Sequence, residues 1–287
     1  MTRAGALVLL GALWVSLSAG ILTGEQMEAW QVVQDDESRV ESRLAQALRT
    51  RFPELPERAS RHTLERLLAE ADAASGERRA ALLLAADFVT VRLAPADHAT
   101  PAELDGEASG GKVARTLTVG THTITWLWSP LGASWASDHA LLWTVWRKLP
   151  DTVWGEEAFL LLLRRGWRTT VFCGESPDEF RAVIREGAHF LTARPRTRLR
   201  APVALALAWA YETWWSASRA RPGQSGVDDP GVYAAGAAEA RSHAITRYDE
   251  ALGLGIAPPL AADARRRLAR LRQGTDTEQR VFYCAYD

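Results

Sequence analysis

The chain has 287 residues, 47% of them hydrophobic, and a formal net charge of -1. That length suits one large domain or two small ones, and the apolar content is ample for a buried core. A near-neutral chain lacks the broad basic field of a nucleic-acid binder, so nucleic acid is not the expected partner.

Residues 1–20, MTRAGALVLLGALWVSLSAG, read as a signal peptide. Arg3 supplies the positive start, Gly5 to Leu17 the apolar stretch, and Ser18-Ala19-Gly20 the small residues for cleavage. The alternative is an uncleaved membrane anchor, because Ala4 to Leu22 nearly suffices to span a bilayer. Either way the bulk of the chain is expected outside the cytoplasm, periplasmic or secreted. The spacing of Met27, Trp30, Val33, Val40, Leu44 and Leu48 predicts a helix over 25–51, which Pro53 and Pro56 end. Further helices are expected over 60–73, with Ser60 as N-cap, and over 77–93, after the Ser75-Gly76 turn. These make an N-terminal helical region over 25–93.

Residues 94–112, rich in Ala, Pro, Gly and Asp, are the expected linker. Within it Gly106 to Lys112 matches the spacing of a phosphate-binding loop. Such a loop needs a strand before it and a hydroxyl after the lysine; here Val113 takes the hydroxyl position, so a plain loop is the better reading. The β-branched alternation of RTLTVGTHTITWLW predicts a small β-hairpin over 115–128, turning at Gly120-Thr121.

Helices return after Ser134, at about 136–148, 155–168, 177–193, 199–218, 232–253 and 260–272. Three times an amphipathic run reaches a proline-containing turn and a second apolar run follows, at Pro150, Pro195 and Pro258. Leu160, Leu205 and Leu268 each lie 10 residues past their proline. The spacings of 45 and 63 residues between the prolines are uneven, and the loop at 218–231 accounts for much of the difference. The pattern predicts a mainly α fold, an irregular helical-hairpin array with one small β-hairpin, occupying 113–287.

Pro150-Asp151-Thr152 with Glu157-Ala158, and Pro195-Arg196-Thr197 with Ala204, Ala206, Ala208 and Tyr211, carry a family likeness, as does the stretch around Ala244-Ile245 and Tyr248. Over roughly 136–272 the chain resembles tetratricopeptide-like (TPR-like) repeats of exported bacterial outer-membrane assembly factors. The resemblance implies an array of helical hairpins that binds protein segments rather than turning over a substrate.

Chemistry-bearing patterns are few. The six histidines, His62, His98, His122, His139, His189 and His243, form no metal-ligand spacing, and neither metal nor cofactor is expected. Glu156 and Glu157 sit where the first turn of a helix favours acid. Glu175-Ser176 is similar to the Glu-Ser of lytic transglycosylases and keeps open an enzyme acting on the cell wall. The two cysteines, Cys173 and Cys284, allow one disulfide in an oxidising compartment, or two separate thiols. Trp is abundant, with 12 in all. Trp143, Trp146 and Trp154 are read as core fillers, with a sugar platform as the alternative. Trp214 and Trp215, which neighbour Tyr211 on one helix, are the candidate partner-binding residues. Arg194, Arg196, Arg198 and Arg200, and the second group from Arg265 to Arg272, read as solvated surface, with an acidic partner or anionic membrane as the sharper alternative. The expected role is a non-enzymatic protein-binding or assembly scaffold at the cell envelope; the alternatives are a cell-wall enzyme and a Trp-based carbohydrate binder.

Overall fold

A computed structural model describes residues 44–50, 59–100, 113–129, 134–167, 179–221, 227, 229–276 and 281–282. The segment at 1–20, most of the first helix, residues 101–112 of the linker, Cys173, Glu175-Ser176 and Cys284 lie outside them. The described chain is mainly α-helical with one small antiparallel sheet. It falls into two compact units, one ending at Trp167 and the other starting at Glu179 among the described residues.

In the first unit, α1 (Arg61–Ala73) starts where the Ser60 side chain accepts from the Thr63 amide at 3.0 Å. Its Leu64, Leu67 and Leu68 stripe is buried. The next helix, α2 (Gly76–Arg92), carries an unbroken apolar run with Leu82, Leu83 and Leu84 all fully buried. A helix apolar all round must be enclosed, and α2 packs on α1, α3 and α4. Strands β1 (Ala114–Val119) and β2 (His122–Ser129) pair antiparallel across Gly120-Thr121, with Leu117 opposite Ile124. Gly120 has φ +57, which glycine adopts without Cβ strain. Alternate residues Ile124, Trp126 and Trp128 of β2 enter the core.

A third strand, β3 (Ser134–Ser137), pairs with β2 and sets Trp128 opposite Trp135. This enlarges the expected hairpin to three strands. It also delays the helix expected from 136, because Ala136 and Ser137 are taken by the ladder. Helix α3 (Ala140–Lys148) and helix α4 (Val153–Arg164) follow, joined through Pro150. Thr152 caps α4 by accepting from the Gly155 amide at 2.8 Å. Gly155 itself allows a close approach, since a Cβ there would lie 2.1 Å from the Leu149 carbonyl oxygen. The C-terminus of α4 closes as a Schellman turn, Trp167 N–H donating to the Leu162 carbonyl at 2.9 Å and Gly166 to Leu163 at 3.1 Å.

The second unit is a run of helices in which each packs on the next: α5 (Phe180–Ala193), α6 (Arg200–Ala217), α7 (Ala237–Leu254) and α8 (Pro258–Gln273). A 3-10 turn at Pro230–Tyr233 sits against α6. Residues Val203 to Ala210 are all buried, so α6 is the enclosed helix of this unit. Near the C-terminus, Phe282 accepts from the Phe180 amide at 3.1 Å and ties that end to the start of α5. Pro150 and Pro195 stand between, and Pro258 opens the second of, two consecutive helices that pack together, α3–α4, α5–α6 and α7–α8. The first pair belongs to one unit and the other two to the second. Among the described residues no helix is long and apolar enough to cross a membrane.

Candidate functional site

The residues singled out on α6 have separate environments. Trp214 is half-buried; its indole N–H donates to the Tyr233 carbonyl at 3.1 Å, and its ring packs 6.0 Å from Phe180 with Arg181 at 5.4 Å. Gly236, at φ +79, passes so close that a Cβ would lie 3.1 Å from that ring. Trp215 is only 5% exposed, with the guanidiniums of Arg219 and Arg241 at 5.0 and 5.7 Å from its ring. The pair therefore serves packing in two directions, as neighbours on a helix must. Tyr211 stays half-buried and stacks on His243 at 4.9 Å with a 30° interplanar angle. Burial raises its phenol pKa, and nearby Arg247 partly offsets that.

Around Tyr211 runs a strip of polar contacts. Arg200, at the start of α6, meets Glu250 of α7 at 2.7 Å, and Arg247 pairs with the same carboxylate one turn earlier. The turn before Arg200 is braced by its own chain. Thr197 N–H donates to the Arg194 carbonyl at 3.1 Å, and Leu199 N–H to the Thr197 hydroxyl at 3.1 Å. Arg196 and Arg198 project from it into solvent.

Beneath this strip lies a buried ionic network. The Tyr248 hydroxyl donates to Glu212, Arg267 Nη1 donates to the same carboxylate at 3.1 Å, and Arg267 Nε donates to Asp263 at 2.7 Å. Glu212, Arg267 and Asp263 are all under 5% exposed. Burial alone would lower the Arg267 pKa, but Glu212, Tyr248 and Asp263 hold it above its ordinary value. Burial, then the Glu212 charge, push the Tyr248 phenol well above its usual range. Arg267 Nη2 makes no hydrogen bond. The network ties α6, α7 and α8 together.

The first unit carries its own polar cluster. Asp87, buried on α2, accepts from His139 Nδ1 at 2.9 Å and from the Leu142 amide at 3.4 Å. Arg165 Nη1 lies 2.8 Å from His139 Nε2 and 2.9 Å from Nδ1, nearly equidistant from the two ring nitrogens. His139 holds φ 55, a left-handed conformation uncommon outside glycine, to place its ring here. Asp138 accepts from the Ala140 amide at 3.0 Å. Its pKa is raised, chiefly by burial.

Of the tryptophans read as core fillers, Trp143 and Trp146 belong to an aromatic cluster in the first unit. Trp143 and Trp154 are each 7% exposed, and Trp143, Trp146 and Phe159 gather around Trp167, at ring distances of 5.2, 6.4 and 5.2 Å respectively. Glu156 lies in the first turn of α4, whereas Glu157 is buried. Among the described residues no group of His, Cys, Asp and Glu is placed to hold a metal ion.

The sequence does not single out Glu212, Asp263 and Asp87, and it marks Tyr248 only through the family likeness. Arg267, expected with its group on the solvated surface, is instead buried at 2% exposure because it faces Glu212 and Asp263. For Asp87 and Glu212 the one signal is a charge inside an apolar run, as in LLLAADFV and ALAWAYETWW. Comparison with protein-family models, curated proteins and solved structures finds no match.

Proposed function

We propose that the protein is an exported, non-enzymatic scaffold of the cell envelope that binds a segment of another protein along its helical hairpins. One observation carries the reading: each of the three turn prolines marks the junction of consecutive helices that pack on each other. In the second unit each helix packs on the one that follows it, as consecutive helices of a hairpin array do, and Arg267 of α8 also reaches Glu212 of α6. Export rests on the signal-like residues 1–20. The glycan-platform alternative is weakened, because Trp143 and Trp154 are turned into the interior.

The test is capture from envelope extract with immobilised full-length protein. One partner should be enriched reproducibly and displaced by free protein. Turnover of purified peptidoglycan, lost in Glu175→Gln, would replace the scaffold with a cell-wall enzyme.

A further inference from the structure

The α5–α6 turn places four arginines, Arg194, Arg196, Arg198 and Arg200, within seven residues that include no acid. Arg196 and Arg198 are exposed there, and Arg194 and Arg200 are half-buried. The basic character continues beyond the turn. Arg200 and Arg247, from different helices, share the single carboxylate of Glu250, so that group of three is left net positive. Next along α6 and α7 come Tyr211, half-buried, and His243, exposed, stacked on each other. Thus a local turn and a tertiary helix pair build one strip of cations leading to an aromatic surface.

We propose that this strip, made by Arg196, Arg198, Arg200, Arg247, Tyr211 and His243, seats an acidic segment of a partner protein. The proposal rests on the scaffold reading and names the partner's chemistry. Guanidinium forks pair carboxylates in two-point geometry, and Tyr and Arg are the side chains that most often anchor protein interfaces. An anionic lipid surface would also answer to positive charge. However, the exposed large apolar side chains among the described residues are Val91, Val153, Val232 and Leu254. None is among the strip's residues; Leu254, one turn past Glu250 on α7, is a single apolar side chain at its edge and too little to anchor in acyl chains.

The probe is a fluorescein-labelled Glu-rich peptide, with its Gln-substituted counterpart as control, titrated with full-length protein and read by fluorescence polarisation. The Glu peptide should bind, weaken with salt, and lose about tenfold in affinity when Arg196 and Arg198 are changed to Glu. Arg265→Glu, an exposed charge reversal on α8, should leave affinity within about twofold. Circular dichroism checks that each variant is folded. The proposal is overturned by equal binding of the Gln peptide, by equal losses in the two variants, by no binding at low salt, or by binding only to phosphatidylglycerol vesicles. A partner captured from extract with undiminished affinity for the Arg196/Arg198 variant would move the binding face and leave the scaffold standing. Peptidoglycan turnover would remove the scaffold whatever the peptide does.

Discussion

Tyr248 and Arg267 converge on one oxygen of Glu212: the phenol from α7 and the guanidinium from α8 both donate to Oε2 on α6. A buried carboxylate with two donors on separate helices fixes their relative rotation, because any slip leaves charge unpaired in the interior. Asp263 adds a second carboxylate on the same arginine.

The two donors differ in what their loss leaves behind. Arg267→Met removes the buried cation that pairs both carboxylates, leaving Asp263 to Arg266 at 3.1 Å and Glu212 to Tyr248, an expected cost of about 3–5 kcal/mol. Tyr248→Phe leaves Arg267 on Glu212 and removes one hydrogen bond, an expected cost of about 1–3 kcal/mol. Urea unfolding of both variants gives the comparison; equal losses would show that the arginine is not the keystone.

The same network predicts alkaline sensitivity. The Tyr248 phenol has its folded pKa raised well above 10.0, by burial first and Glu212 second. Above about pH 10 the unfolded chain therefore releases this proton while the folded chain keeps it, so stability is present below that pH and falls as pH rises. Denaturant midpoints across pH 8 to 11 should decline more steeply for wild type than for Tyr248→Phe, since the variant has no phenol to ionise. Parallel slopes would place the alkaline loss elsewhere.

Local signals in the sequence mark most of this architecture. Ser60 and Thr152 cap their helices through the next few amides, and Pro150, Pro195 and Pro258 turn the chain, all by interactions within a few residues. What escapes is set by distance along the chain. Tyr248 meets Glu212 across 36 residues and His139 meets Asp87 across 52, and neither pair has a spacing that local periodicity reads. The strand Ser134–Ser137 is too short to show a period and exists because β2 offers it an edge. Of the candidate partner-binding residues, Trp215 looks the same as Trp214 in sequence; the tertiary packing, with Arg219 and Arg241 over the buried ring and Arg181 over the half-buried one, separates them.

Gly155 is a position where one carbon decides. Its Cβ would stand 2.1 Å from the Leu149 carbonyl oxygen and 2.9 Å from the Pro150 Cα, both backbone atoms that cannot swing aside. Gly155→Ala should therefore destabilise the first unit by about 1–3 kcal/mol, although alanine is the better helix former. Thermal unfolding measures it. A stabilised variant would mean that the α3–α4 turn yields easily.

Asp138 carries a penalty when ionised, since burial raises its pKa from 3.8 despite the Ala140 amide that it accepts from. For an acid with a raised folded pKa, the penalty is absent below the unfolded value and grows as pH rises through the folded one. Asp138→Asn keeps an oxygen for the Ala140 amide and removes the charge. The variant should be the more stable form at pH 7, and its advantage should shrink below about pH 4. A constant difference across that range would point to packing rather than charge.

His139 combines backbone strain with a buried partner, and its substitutions separate the two. Its φ of 55 suits glycine and asparagine better than alanine, and its Nδ1–H holds the buried Asp87 carboxylate at 2.9 Å. Ala keeps the strain and removes the donor. Gly relieves the strain and removes the donor. Asn tolerates the conformation and brings an amide N–H, on a shorter side chain. His139→Ala should thus cost most, about 2–3 kcal/mol, with Gly recovering about 1 kcal/mol of it through the backbone. Asn should recover more than Gly only if its amide reaches Asp87, which the Leu142 amide proton reports by slowed exchange. Equal stability of the Ala and Gly variants would show that the left-handed turn at His139 stores no strain, and that Asp87 alone sets the cost.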